Sequence, residues 1–591
     1  MRPSLLRHLL TTALLLALSL SSFAADPTPL QRGRDLAKSH QYEAAIAAFD
    51  EAIAAEPQSA EAHYARGDAY AALRKTEPAM ADFSEAIGLK PDYVDAWYMR
   101  GHIHARRGDH QGAAEDFSEA IRLRPDYADA YRYRGFSLFT LNQDEEAKSD
   151  FDKAIELDPK MAEAYYFRAR ALRHEGELSA ALADLDTALG MQPKKAPWLY
   201  ERGQVLSWMG KQGLPNGSER AIADYTEAIR IDPKTQHYYN DRAHEYGLLK
   251  RYDLAIADLT EAIHLKPELP FFRLNRGVNY LFSGQLESAI ADFTEGIRID
   301  PIYGQCYWRR AQAYVKLGKK DLALRDLAKA GKLLDKDAEA QFNLGNLYAE
   351  LSESKLAIAA FTAALHTEPK HVGALVNRAN SYRILGQFDQ ASADLAKALR
   401  LDPNHPYGHC VLGILDIDKD QVEAAVEQFS KAIELKADFP SPYYERASAN
   451  FRLGKRDSIL ADAQQYRDLV GWGKPDTAWL YLISAAVVRE QQGEDAAQIL
   501  VKEALDHCDP RTWPYPILRH HHGDISDDAL LREATGNGQL TESHAHIANY
   551  LLAAGRRNEA LPHLRWVKEN GEHTCYEYAA SVSELNRLGE K

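Results

Sequence analysis

The chain has 591 residues, 45% hydrophobic and 27% charged, with 31 tyrosines and a formal net charge of -15. This is a folding composition, too long for one compact core, so it calls for several domains or a stacked array. An acidic balance of this size repels phosphate backbones and argues against nucleic acid as a partner.

Residues 1–24 have the layout of a secretory signal peptide. Arg2 and Arg7 precede an apolar run from Leu9 to Leu20, and Ser22-Phe23-Ala24 supplies small residues for cleavage. The run is about half the ~20 residues needed to span a bilayer. No cysteine follows it for lipid attachment, and no later stretch reads as a membrane span. The expected location is the periplasm, with secretion beyond the cell as the alternative.

From Ala25 to about Val470 one pattern dominates. Small residues recur every 34 positions at Gly33, Gly67, Gly101, Gly135, Ala169 and Gly203. They resume six residues late at Ala243, Gly277, Ala311, Gly345, Ala379, Gly413 and Ala447. A second small residue follows twelve positions on, as at Ala45 and Ala79, and a bulky one sixteen positions on, as at Phe49 and Leu185. Prolines such as Pro57, Pro91 and Pro125 close the units, because proline lacks the amide hydrogen and ends a helix. Two short helices per unit cannot bury their apolar faces alone, so neighbouring units must stack. The extra residues fall in 211–218, which reads as a longer loop between the two helices of one unit.

The period and its small, aromatic and proline positions resemble the tetratricopeptide repeat family. The resemblance spans about 13 units and implies an all-α, right-handed superhelical solenoid of about 13 to 15 helix pairs. Three regions follow: the signal peptide at 1–24, the repeats at 25–470, and a helical C-terminal region at 471–591.

An arginine precedes the small residue in most units, and an aspartate stands sixteen residues later: Arg66 with Asp82, Arg100 with Asp116, Arg134 with Asp150, Arg168 with Asp184. Where the arginine is replaced, at Leu344 and Leu412, the aspartate is replaced too, by Ala360 and Gln428. Loss coupled within a unit predicts ion pairs between the two helices of one repeat.

In such an array the binding surface is the concave face formed by the first helices. Positions three before, two before and one after the small residue hold aromatics at Tyr64, Tyr98, Tyr166, Tyr200, Trp308, Phe342 and Tyr444. The same positions hold amides at Asn275, Asn343, Asn346, Asn377 and Asn380. An amide both donates and accepts, so a row of them suits the backbone of an extended peptide, with Trp308 and Phe342 as apolar anchors. The expected partners are proteins or peptides of the cell envelope, with no cofactor.

Within the C-terminal region, Trp513-Pro514-Tyr515-Pro516 is too proline-rich for helix. That segment, with Gly523-Asp524-Ile525-Ser526, Gly571 and Glu577-Tyr578-Ala579, resembles about 70 residues of the NlpI-type periplasmic adaptor lipoproteins. Those proteins bring peptidoglycan hydrolases and a protease together, which implies an adaptor in envelope assembly or in the regulation of peptidoglycan enzymes. An alternative is a carbohydrate-active or metal-binding enzyme sited here. His520, His521, His522, His544 and His546 are its candidate metal ligands, and Asp524, Asp527, Asp528 and Glu542 its carboxylates. The histidines lack acidic or cysteine partners at closed-site spacing, and a polar loop explains the triplet. The chain carries no phosphate loop, nucleophile elbow or metalloprotease motif, so catalysis is not expected. Of four cysteines, Cys306 and Cys410 stand three units apart and read as small buried hydrophobes, while Cys508 and Cys575 are the candidate disulfide.

Overall fold

The computed structural model describes residues 27–572 and 576–590. The expected signal peptide lies outside the described residues, as does Cys575. Among them there are 33 α-helices and no strand, and no helix is long and apolar enough to cross a membrane.

The chain divides into two compact units, Met1–Gln285 and Leu286–Lys591. The first runs from the helix Pro29–Lys38 to Pro270–Phe282, and the second from Leu286–Ile299 to Tyr576–Arg587. In each, a first helix of usually 13 residues alternates with a second of usually 14, as in Val94–Arg106 and His110–Leu123. The turn between them needs one residue in the left-handed region. Gly108, Gly176, Gly318 and Gly386 supply it in some repeats, and His40, Arg74, Asn142 and Ser352 adopt it in others.

Size matching sets how closely the two helices approach. Where the first helix offers glycine, the second offers an aromatic ring: a Cβ on Gly33 would lie 2.4 Å from Phe49, on Gly135 2.8 Å from Phe151, and on Gly345 2.5 Å from Phe361. Where the first helix offers alanine, a leucine usually stands opposite, as in the fully buried pairs Ala169 with Leu185, Ala311 with Leu327 and Ala379 with Leu395; the last repeat, with Ala447 and Ala463, is the exception. A methyl group gained on one side is matched by atoms lost on the other, as dense packing demands.

The insertion forms a shorter loop than the expected 211–218. Its first helix grows to 16 residues, Ala196–Lys211, and its second to 15, Gly217–Ile231, so only residues 212–216 connect them. Gly210 and Gly217 make this possible, since a Cβ on Gly217 would sit 2.5 Å from the Gly210 Cα.

Beyond Val470 the helix lengths become irregular, beginning with the 18-residue Pro475–Gln492. The proline-rich segment is not helix-free: Tyr515–His522 is helical, with Pro516 in its first turn, where no amide hydrogen is needed. The histidine triplet therefore belongs to a helix and not to a polar loop, and His520 and His521 are buried.

Candidate functional site

Each ladder arginine sits on a first helix with its aspartate opposite on the second. Arg66 donates from Nε and Nη2 to Asp82 at 2.8 and 2.7 Å, Arg100 to Asp116 at 2.9 and 2.7 Å. Arg134 reaches Asp150 at 2.8 and 2.6 Å, and Arg168 reaches Asp184 at 2.7 Å through both nitrogens. The aspartates are buried. Desolvation pushes the Asp150, Asp258 and Asp462 carboxyls up, against the pull of their arginines.

The remaining nitrogen, Nη1, crosses to the second helix of the preceding repeat. It meets Asp50 from Arg66 at 2.7 Å, Ser84 from Arg100 at 3.1 Å, Asp152 from Arg168 at 2.6 Å and Thr362 from Arg378 at 3.0 Å. One guanidinium thus joins three helices. The sequence reading missed this second contact, although the polar residue sixteen positions before each arginine was its visible sign.

On the first-helix face, the expected aromatics mostly pack against the next repeat. Ring centroids lie 4.9 Å apart for Tyr64 and Tyr93, 4.7 Å for Tyr98 and Tyr127, and 4.9 Å for Tyr200 and Tyr238. Phe342 lies 4.6 Å from the His371 ring, and the Arg309 guanidinium covers Trp308 at 4.0 Å. Both side chains are half-buried.

The asparagines are partly engaged among themselves. Asn275 Nδ2 donates to Asn240 Oδ1 at 2.8 Å, and Asn377 Nδ2 to Asn346 Oδ1 at 2.6 Å, each bond joining successive first helices. Asn343 donates to the Glu339 carbonyl at 2.8 Å, and Asn380 accepts from Arg383 at 3.0 Å. All are half-buried.

A surface that the sequence reading did not single out stands beside Asn275 in the first unit. Five residues after the small position come Trp208, Leu248 and Phe282, in three successive repeats, exposed by 53, 52 and 57%. Most other repeats carry small or polar residues there, such as Ala72, Thr140 and Lys316. A cavity of ≈ 450 Å³ lies against Leu248 and Phe282, lined also by Asp241, His244, Asn275 and Val278. A smaller one of ≈ 220 Å³, lined by Arg173, Trp208, Lys211, Asp241 and His244, adjoins it. Its polar wall is already ordered: Tyr200 Oη donates to Asp241 at 2.7 Å, and Ser207 Oγ to Glu245 at 2.6 Å. The visible sign in the sequence was a large apolar side chain at one position in three successive repeats, a feature that Ile384 repeats singly in the second unit.

The C-terminal candidates do not converge on a common point. His520 Nε2 meets Asp527 at 2.6 Å, His522 Nδ1 meets Asp524 at 2.9 Å, and Glu542 accepts from the Trp513 indole. His544 and His563 face one another at 2.8 Å. His521 and His546 are buried with ring centroids 5.6 Å apart. Among the described residues no group of three or more histidine, cysteine, aspartate or glutamate side chains is arranged to hold a metal ion. Burial pushes the thiols of Cys306 and Cys410 up to about 12, which leaves both protonated and unreactive. Cys508 Sγ lies 3.8 Å from Thr512 Oγ1.

Sequence models described as tetratricopeptide repeat or TPR repeat match residues 30–94, 101–142, 134–196, 236–269, 272–303, 309–372, 372–405 and 415–454. Together these spans cover more than half of the chain. The chain belongs to the tetratricopeptide repeat family. Its repeats are similar to those of several solved structures. The hetero-tetramer Cut9–Hcn1 of the APC/C matches at 16% identity, over 83% of this chain and 95% of that one, with a TM-score of 0.34. Yeast Tom70 matches at 16% identity over 74% and 98%, with a TM-score of 0.36. YrrB, titled a TPR protein with an unusual peptide-binding site, matches at 24% identity over 31% and 95%, with a TM-score of 0.26. Tetratricopeptide repeats are protein-interaction scaffolds, and an all-α array of them accounts for most of this chain.

Proposed function

We propose that the protein is an exported scaffold that holds extended peptide segments of cell-envelope proteins on the face of its first helices. The observation that carries this reading is the row Trp208, Leu248 and Phe282, exposed at one position in successive repeats beside amides that are themselves held in place. Exposed apolar area of this kind, next to fixed donors and acceptors, suits a chain whose side chains anchor and whose backbone hydrogen-bonds. Asn275 lines the cavity beneath the row. In the second unit Asn343, Asn346, Asn377 and Asn380, flanked by Trp308 and Phe342, offer the same chemistry for a second segment. The signal-like leader supports export to the periplasm. The C-terminal resemblance to adaptor lipoproteins supports a role in envelope assembly or peptidoglycan-enzyme regulation.

The test is a peptide-display selection on the intact protein, repeated on a variant with Trp208, Leu248 and Phe282 all changed to alanine. Selected peptides should be apolar at alternate positions and should lose at least tenfold in affinity for the variant, with the melting temperature unchanged. Equal affinity for both proteins would remove this face as the binding site.

A further inference from the structure

The first unit holds two carboxylates, Asp241 and Glu245, one turn apart on the helix Gln236–Leu248, in the wall of the ≈ 220 Å³ cavity beside Trp208. Glu245 is only 1% exposed. Neutral groups hold both. Asp241 accepts from Tyr200 Oη at 2.7 Å, Gln204 Nε2 at 3.3 Å and Asn240 Nδ2 at 2.9 Å, and Glu245 Oε1 accepts from Ser207 Oγ at 2.6 Å. Glu245 Oε2 is buried with no hydrogen-bond partner among the described groups. Among the described residues neither carboxylate forms an ion pair with a lysine or arginine. The one basic contact is His244 Nδ1, 3.2 Å from Glu245 Oε1, which is charged only when protonated.

A buried carboxylate is costly unless a cation meets it. The neighbouring repeat keeps that rule: Glu201, buried on the preceding first helix, is met by Arg173 Nε at 2.5 Å. Arg173 lines the cavity too, but is engaged by that glutamate. The lysines of this cavity and its neighbour, Lys211 and Lys250, are exposed and form no ion pair among the described residues. Water screens charges so placed, and it screens a buried carboxylate far less. Burial pushes the Glu245 carboxyl up, but His244, Ser207 and Ser218 outweigh it and keep the group ionised, although no hydroxyl reaches Oε2 in hydrogen-bond geometry. The cavity has room for one long side chain, and it shares Asp241 and His244 with the ≈ 450 Å³ cavity at Leu248 and Phe282. The exposed Trp208 indole stands in the same wall, where a cation can lie over its face.

We infer that this pocket takes a basic side chain, lysine or arginine, of the bound peptide segment. Its cationic head lies between Asp241 and Glu245 and its alkyl stem along Trp208, while flanking apolar residues of the same segment rest on Leu248 and Phe282. Charge complementarity names the occupant: two carboxylates that no lysine or arginine of the chain neutralises call for a cation from outside. The inference rests on the first-helix binding proposed above and adds what that face selects, a basic residue among apolar ones.

The test uses the full chain and fluorescein-labelled hexapeptides in which leucine alternates with lysine, glutamine or glutamate. The lysine peptide should bind at least tenfold more tightly than the glutamine peptide, and the glutamate peptide should not bind. Glu245→Gln should remove the preference for lysine and leave the affinity of the glutamine peptide unchanged. Asp253→Asn removes one exposed carboxylate from the second helix of the same repeat. It should leave the preference intact, which separates this pocket from the acidic field of the whole chain. Gln204→Lys supplies a cation from the chain itself at a half-buried lining position. It should also abolish the preference, and it decides the matter if Glu245→Gln melts at lower temperature. The inference is overturned if Asp253→Asn weakens lysine binding as much as Glu245→Gln, or if neither Glu245→Gln nor Gln204→Lys changes the preference. Displacement of the lysine peptide by butylamine at the peptide's own concentration also overturns it, by making the pocket a free-amine site. If lysine and glutamine peptides bind equally, and both lose affinity when Trp208, Leu248 and Phe282 are changed to alanine, the basic pocket falls and the first-helix reading stands. If that triple variant binds every peptide as the wild type does, the first-helix reading falls with it.

Discussion

The arginine and aspartate ladder of the repeats and the histidine-containing core of the C-terminal region bury polar groups in opposite ways. In the repeats each buried ladder aspartate meets a two-pronged arginine, and the arginine's third nitrogen is taken by the preceding repeat. In the C-terminal region both ring nitrogens of His521, Nδ1 of His520, Nη1 of Arg489 and Oγ of Ser484 are buried with no hydrogen-bond partner among the described groups. A repeat reuses one satisfied solution, whereas a segment that occurs once must stabilise each buried group individually. The contrast teaches where pH and mutation should bite: on neutral histidines in one region, on broken pairs in the other.

The largest effect should come from acid acting on His521 and His546. Burial holds His521 well below the ordinary 6.5 and His546 near about 3, with the other histidines and Arg489 adding to the shift. The folded values lie below the unfolded one, so the unfolded chain binds more protons, and this contribution to stability falls as pH drops below 6.5. For His546 this should amount to about 1.4 kcal/mol per pH unit, or roughly 2 kcal/mol by pH 5, with His521 acting in the same direction. Glu445 and Glu577, raised by burial to about 7, act in the opposite sense over pH 7 to 4.5. The measurement is therefore a difference: hydrogen exchange of the helix Asn537–Ala553 from pH 7 to 5, in the wild type and in H521L/H546F. The variant should show a smaller acid-dependent loss, the remainder coming from His544 and His563, which burial also holds low, and parallel profiles would show that His521 and His546 do not titrate on opening.

Next in size is Asp150→Ala, which strands the half-buried Arg134 and should cost about 3 kcal/mol by chemical denaturation. Adding Arg134→Leu copies the Leu344 and Ala360 arrangement already in the chain and should recover much of the loss. Equal instability of single and double variants would mean that the pair is not the unit of stability.

Gly345→Ala should follow, at about 1–3 kcal/mol, because the new methyl meets the Phe361 ring at 2.5 Å. Phe361→Leu in the same chain restores the alanine and leucine pairing of other repeats and should bring the melting temperature back. Smallest in stability terms is W208A/F282A. Both side chains are exposed, so each change should move stability by under ~0.5 kcal/mol, while peptide affinity falls tenfold, or ~1.4 kcal/mol.

The helix pairs from Pro29 to Val470, and the pairing of each arginine with its own repeat's aspartate, were legible because thirteen repeats state the same constraint many times. A period assigns equivalent positions but not the direction a long side chain takes. The tyrosines three before the small residue therefore looked like groove residues, although rings such as Tyr64 and Tyr98 lean onto the following repeat. The exposed Trp208, Leu248 and Phe282 sit where most repeats are polar or small, so they show only against the repeat average. In the C-terminal region no repetition helps. The buried His520 and His521 read as polar there, because three adjacent histidines carry no sign of which face of a helix they occupy.

The central claim, that binding resides on the first-helix face, is tested most directly by site-specific photocrosslinking in the living host. A benzophenone side chain replaces Phe282 on that face or, as the control, Leu254, an exposed apolar position on a second helix. The account predicts discrete crosslinked partner proteins at Phe282, lost when Trp208 and Leu248 are changed to alanine, and none at Leu254. The same crosslinks at both positions, or at Leu254 alone, would contradict it.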